Sequence, residues 1–206
     1  MNRIRAGDLP AHLRFVLSNN SQSGALAHAR DFGTQAFHVS AKTEGGEAQV
    51  TAKILSILKE YPIDLLVLAG YMKKVPTEIL QAMKNRVVNI HPALLPAFGG
   101  EGLYGHKVHE ALVARGCQYA GLSIHMVNEE YDAGQIILQK AVSISNTQTA
   151  DEVGAAVLKE EHACYWKVIR AFADGRIIPS ASDKPNQAVN ISAFQSEIRD
   201  IQNQKN

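Results

Sequence analysis

The sequence predicts an α/β domain built on a mainly parallel sheet flanked by helices. Three observations carry this. Short apolar runs alternate with helical patterns along the chain. The run Ile63-Asp64-Leu65-Leu66-Val67-Leu68-Ala69 is almost continuously apolar, as strands buried on both faces are. A Pro- and Gly-rich stretch from His91 to Gly105 follows a strand. In such sheets ligands bind beyond the carboxyl ends of strands.

The elements follow in order. Leu13-Arg14-Phe15-Val16-Leu17 and Ala36-Phe37-His38-Val39 read as short strands. Between them Ser23 caps a helix that Gly33 stops. Residues 47–60 carry Val50, Ile54, Ile57 and Leu58 at helical spacing. Pro76 suits the first turn of a short helix ending at Met83. Val87-Val88-Asn89-Ile90 is the next strand, followed by the long loop and a helix from His106 to Arg115. Two more strands fit residues 119–127 and 135–144. Thr149 and Glu152 make a capping-box pattern that opens a helix of about 25 residues, with Gly175 as its stop. From about Ser180 the chain turns polar, with a weak helical pattern near Phe194 and Ile198, and reads as an extension or a frayed tail. The expected organisation is a domain over residues 1–178 and a polar C-terminal extension over 179–206.

Composition narrows the function. The 206 residues suggest one domain, large enough to bury a core without disulfides. Lys plus Arg is 21 and Asp plus Glu is 20, a net charge of +1. That balance argues against a nucleic-acid binder relying on phosphate neutralisation. No apolar run reaches the roughly 18 residues of a membrane span, so no membrane partner is expected. Met1–Gly7 has no apolar h-region, and a cytoplasmic protein is expected. Cys117 and Cys164 lack CxxC spacing and read as reduced thiols. There is no dinucleotide fingerprint, no phosphate-binding Walker loop and no serine nucleophile elbow.

Several polar residues fall where strands end. Asn89 and His91 alternate across one strand end and so share a side of the sheet, and Pro92 turns the chain away. Asp132 lies in the turn Tyr131-Asp132-Ala133-Gly134 between two strands. A carboxylate beside an imidazole favours its protonated form and orients it. A neighbouring amide can stabilise an oxyanion. Together Asn, His and Asp could assist an amine attacking a polarised carbonyl, with no protein nucleophile. The same residues also fit a loop histidine and a turn former. His106, His109 and Glu110 fall at i, i+3 and i+4, which suits either two metal ligands or an amphipathic surface. His125 is either a packed core residue or a hydrogen bonder at a site. Lys73-Lys74 is either an anion contact or solvated charge. Gly99-Gly100-Glu101-Gly102 suits a lid or a close backbone approach.

Three stretches go further. Asn89-Ile90-His91-Pro92-Ala93-Leu94-Leu95-Pro96, Gly121-Leu122-Ser123-Ile124-His125 and Tyr131-Asp132-Ala133-Gly134-Gln135-Ile136-Ile137 together resemble the folate-dependent formyltransferases. Leu68-Ala69-Gly70-Tyr71-Met72 and Glu161-His162 support the branch that formylates glycinamide ribonucleotide. The likeness covers about residues 13–178. It implies a Rossmann-like fold, 10-formyltetrahydrofolate as co-substrate, no metal, and a step of de novo purine synthesis. It also implies small-molecule substrates only and a monomer or weak homodimer.

By the same resemblance the catalytic histidine falls on His91, as proton donor and stabiliser of the tetrahedral intermediate. The family's Asn falls on Asn89, at the formyl oxygen. Its Asp falls on Asp132, which organises the proton relay. The folate side falls on Met72, Lys73, Lys74 and Val75, and on Asn128, Glu129, Glu130, Tyr131 and Asp132, with Asn89. The nucleotide side falls on Gly70, Ile90, Pro92, His125 and Glu161.

There are departures from the family. It opens with a strand and a Gly/Ser-rich loop whose amides hold the substrate phosphate. Met1–Asp8 resembles the end of the helix that follows them, so this strand and loop are expected to be lacking. Glu47 and Lys73 stand where Arg is common, and Lys73 keeps charge without the bidentate fork. The sibling that hydrolyses formyltetrahydrofolate shares the Asn/His/Asp set but differs at the residue after the histidine, here Pro92, and carries a regulatory domain. The branch acting on methionyl-tRNA adds a C-terminal nucleic-acid-binding domain, for which the roughly 30 residues after Gly175 are too few. A sugar-nucleotide formyltransferase and a non-catalytic folate- or nucleotide-binding relic are the further alternatives.

Overall fold

The computed structural model describes residues 1–147, 149–182, 184 and 187–204. A short helix α1 (Asn2–Arg5) precedes two parallel strands, β1 (Phe15–Ser18) and β2 (Gln35–His38), paired with Phe15 opposite Gln35. Helix α2 (Gly24–Phe32) connects them. The Ser23 hydroxyl accepts the Ala25 N–H at its start, and Gly33 ends it at φ 84°, a left-handed backbone that suits glycine. A one-turn helix α3 (Ala41–Glu44), absent from the sequence reading, is closed by a reciprocal Ser40/Thr43 cap. Helix α4 (Glu47–Glu60) follows and buries Val50, Ile54 and Ile57, the stripe its spacing predicts.

A second sheet runs β3–β4–β5–β6, from β3 (Leu66–Leu68), β4 (Val87–His91), β5 (Tyr119–Met126) and β6 (Ile136–Ser143). The β3–β4 pair is parallel and the β4–β5 and β5–β6 pairs are antiparallel. Orientation follows connection. Helix α5 (Thr77–Ala82) crosses between parallel β3 and β4, whereas a helix-free connection over residues 127–135 joins antiparallel β5 and β6. Helix α6 (His106–Ala114) follows the long loop, and α7 (Ala150–Ala173) packs on β5 and β6. The Thr149/Glu152 cap forms as the spacing predicts. Pro76 sits at the N-cap of α5, one residue before its expected place.

The strand at 63–69 is shorter than expected. Only Leu66–Leu68 form it, and all three are half-buried, with Val67 packed against one core cluster and Leu66 and Leu68 against the other, so both faces are covered as expected. β3 pairs only with β4, β1 only with β2, and among the described residues no strand joins the two sheets. A shared core still ties them, since Phe15, Leu17, Phe37, Leu66 and Leu68 pack around Val50, Ile54, Ile57 and Ile79.

Of the two readings of the tail, the chain adopts a packed extension. After α7 come β7 (Ile178–Pro179), β8 (Val189–Asn190), a 3₁₀ turn (Ser192–Phe194) and α8 (Gln195–Asn203). Phe194 and Ile201 are fully buried in the main core. Lys140 explains the docking. Its ammonium donates to Glu160 Oε2 at 3.0 Å, to the Ile201 carbonyl at 3.1 Å and to the Gln204 carbonyl at 3.0 Å. All three N–H groups are thus satisfied, and a cation sits at the C-terminal end of α8 where the helix dipole favours it. No described helix is long and apolar enough to cross a membrane.

Candidate active site

A cleft of about 750 Å³ opens at the carboxyl ends of β3 and β4. Its walls come from the segment after β3, the end of β4, the β5–β6 turn, the loop before α6, and one face of α7. The strands that bring the polar residues there are held at their ends by Tyr165 of α7. Its hydroxyl reaches the Leu68 carbonyl at 2.7 Å and the Val88 carbonyl at 3.0 Å, one on each of the two parallel strands.

The centre is built by register. Antiparallel pairing sets Asn89 opposite His125 and His91 opposite Ser123. Asn89 Nδ2 lies 3.2 Å from His125 Nε2, and His125 Nδ1 lies 2.9 Å from the Met126 carbonyl. A carbonyl only accepts, so Nδ1 carries the hydrogen and Nε2 accepts from the Asn89 amide. Burial pushes His125 below the usual histidine range, in keeping with this neutral tautomer. One Asn89 N–H is thereby committed to His125, and the other is left for an oxygen in the cleft.

Asp132 joins the two histidines. Its Oδ2 is 3.5 Å from His91 Nδ1, and its Oδ1 is 3.6 Å from His125 Nε2. The Gly100 N–H donates to Oδ2 at 3.0 Å. The other nitrogen of His91, Nε2, donates to the Phe98 carbonyl at 2.8 Å. Both nitrogens of His91 therefore face oxygen acceptors. His91 is 4 % exposed, so little water competes for these contacts.

On the far wall, burial alone pushes the Glu161 carboxyl up to about 7. At neutral pH this group both donates and accepts. His109 is pushed down by burial, and its Nδ1 has no hydrogen-bond partner among the described residues. Gly154 of α7 lies against its ring, where a Cβ would come within 3.1 Å.

The expected site residues largely converge. Gly70, Met72, Lys73, Lys74 and Val75 line the cleft from the β3 side, and Asn89, Ile90, His91 and Pro92 from β4. His125, Asn128, Glu130, Tyr131 and Asp132 line it from β5 and the turn, and Glu161 from α7. Glu129 does not line it; its side chain is exposed to solvent. Lys73 pairs with Glu47 at 2.6 Å, and this contact holds its ammonium above the usual lysine range. The odd residue at position 47 is thus the partner of the odd residue at 73. Lys74 instead lies over the Tyr131 ring, 5.8 Å from its centroid.

His106 does not form a metal site with His109. It lies 3.5 Å from Glu110 and 3.6 Å from Asp151 on the surface, and among the described residues no group of three or more donors is placed for a metal. Sequence reasoning missed Phe98, Leu103, Tyr104, Leu158 and Tyr165 at or behind the cleft. Leu158 had a local signal, lying three residues before Glu161 on the same helix face. The Phe98 carbonyl had none, because loop backbone contacts leave no side-chain pattern.

The sequence pattern of the family described as Formyl transferase matches residues 1–169. A chloroplastic phosphoribosylglycinamide formyltransferase of Arabidopsis thaliana is 39% identical over 187 residues, covering 87% of this chain and 64% of that protein. The phosphoribosylglycinamide formyltransferase of Haemophilus influenzae is 32% identical over 177 residues, covering 86% of this chain and 81% of that protein. Among solved structures, glycinamide ribonucleotide transformylase 1 from Symbiobacterium toebii superimposes with a TM-score of 0.80 at 34% identity, covering 87% of this chain and 82% of that one. The chain spans less than two thirds of the length of the plant relatives, 64% and 56% for two of them.

Proposed function

The chain belongs to the formyl transferase family, and on that premise we propose that it transfers the formyl group of 10-formyltetrahydrofolate to the amine of glycinamide ribonucleotide, a step of purine synthesis. One observation carries the reading: Asn89, His91 and Asp132 meet in one cleft, with a neutral His125 orienting the amide.

The chemistry follows from those groups. The substrate amine attacks the formyl carbon, and a C–N bond forms as the carbonyl becomes an oxyanion. The spare Asn89 N–H is a donor for that oxygen, and the His91 Nε2–H reaches the substrate by leaving the Phe98 carbonyl to which it donates. The intermediate collapses by breaking the C–N bond to the folate nitrogen. Over the whole reaction one proton moves from the attacking amine to the departing nitrogen. His91 is the donor to that nitrogen, and Asp132 supports the charge on its ring. No covalent bond to the protein is needed.

The cleft's two ends suit the two substrates. Met72, Val75, Leu103 and Tyr131 offer an apolar wall for the flat folate rings. Glu161, with its raised affinity for a proton, suits sugar hydroxyls. The proposal keeps the reading of the protein as a monomer or weak homodimer acting on small molecules, without nucleic acid. The unpaired Cys117 and Cys164 suit a reducing compartment, either the cytoplasm or the chloroplast named for the plant relatives.

Product identification tests the proposal. Incubation with both substrates is expected to yield the N-formylated nucleotide and tetrahydrofolate. Formate as the only product would instead assign a hydrolase, and binding with no product a non-catalytic relic.

A further inference from the structure

Asp132 is not held in place by the sheet alone. Its backbone has φ 52°, a left-handed conformation that Asp tolerates but does not prefer. The β5–β6 ladder shifts register between Ile124 and His125, where the turn begins. An irregular ladder leaves the turn it borders less constrained. On the far side of the turn, a Cβ at Gly134 would overlap the Met126 carbonyl, so the chain passes there as bare backbone. The Met126 N–H donates to the Gln135 carbonyl at 2.9 Å.

The next constraint comes from another part of the chain. The Gln135 side chain pairs with the backbone of Val189 in both directions. Its Nε2 donates to the Val189 carbonyl at 3.0 Å, and its Oε1 accepts the Val189 N–H at 2.9 Å. The amide thus copies one rung of a strand ladder. Val189 is a firm anchor: it is 4 % exposed, lies in the main core, and pairs with Pro179 across β7–β8.

We propose that Gln135 is a positioning residue that fixes the Asp132 turn to the C-terminal segment, so that the docked residues around Val189 set where the carboxylate stands relative to His91. The consequence for turnover rests on the formyl-transfer reading above. The consequence for the turn does not.

Two variants separate this from general loosening of the segment. Gln135→Ala removes the pair with Val189. Asn85→Gly loosens the same segment elsewhere, since the Asn85 amide donates to the Ser180 and Ser182 carbonyls at 2.7 and 3.0 Å, and glycine accepts its φ of 55°. Amide hydrogen exchange, followed by NMR on the full chain, reads the Met126 and Gly100 N–H groups. Gln135→Ala is expected to speed both by about tenfold, through local opening of the turn. It should also lower kcat about tenfold while KM for the nucleotide stays within about twofold, as a displaced catalytic group does. Asn85→Gly should lower Tm and change neither. Unchanged exchange in Gln135→Ala, or equal changes in both variants, would overturn the proposal. Faster exchange in a protein whose wild type transfers no formyl group would uphold the positioning and remove the functional reading.

Discussion

Oδ2 of Asp132 lies 3.5 Å from Nδ1 of His91, and both side chains are largely withdrawn from solvent. The contact sets a carboxylate oxygen against the His91 nitrogen that faces away from the Phe98 carbonyl. Asp132→Asn keeps the shape and removes the charge. It is expected to lower kcat by about 10²-fold with a small change in KM, because in the proposed mechanism the charge matters as His91 gives its proton. Steady-state kinetics check this, with Tm confirming that the fold survives.

Asn89 is aimed by His125. Asn89→Ala removes the amide itself and should cost about 10²-fold in kcat, the usual loss for one oxyanion donor. His125→Leu leaves the amide but removes its partner, and a loss of about tenfold is expected from misorientation. Single-turnover rates read the chemical step directly. Equal losses in the two variants would mean that His125 does more than orient.

The half-buried Glu161 carboxyl links site and stability. Its folded-state affinity for protons is raised to about 7 from 4.5. Between those values the folded chain binds more protons than the unfolded chain, so this group's contribution falls as pH rises. His109 and His125, pushed down by burial, act with the opposite sign, favouring the fold above about 6.5 and losing it as pH falls. Comparing wild type with Glu161→Gln isolates the carboxyl. The variant's Tm is expected to gain on the wild type from about pH 4.5 up to about pH 7 and then level off. A constant difference across that range, measured calorimetrically, would contradict the assignment.

Lys140 and Glu160 form an ion pair whose side chains are 4 % and 8 % exposed. Lys140→Met strands a buried carboxylate and frees the end of α8, and is expected to cost about 3–5 kcal/mol. Lys140→Met with Glu160→Leu should recover most of that loss. Denaturant unfolding of the two variants checks it.

What the sequence disclosed was local. The Ser23 and Thr149 caps, the α4 stripe and the alternation of Asn89 and His91 all lie within a few residues, where spacing determines geometry. The meeting of Asn89 with His125 was not legible, because it depends on antiparallel register between segments 36 residues apart. The carboxylate beside His91 was suggested by residue type, and its naming as Asp132 by resemblance, but the turn that delivers it is held by Gly134 and Gln135 through contacts with distant backbone. The polar tail showed Phe194 only as part of a weak helical pattern and concealed Ile201 among polar neighbours, and its anchor Lys140 lies on β6. The run at 63–69 signalled a strand packed on both faces, which Leu66–Leu68 form, but not how short that strand is.

The most direct measurement is the rate of formyl transfer by the wild type and by His91→Ala, with and without glycinamide ribonucleotide. Wild-type consumption of 10-formyltetrahydrofolate is expected to require the nucleotide, and the variant to lose about 10²-fold or more. Consumption independent of the nucleotide, or a His91→Ala protein that turns over near the wild-type rate, would contradict the proposed mechanism.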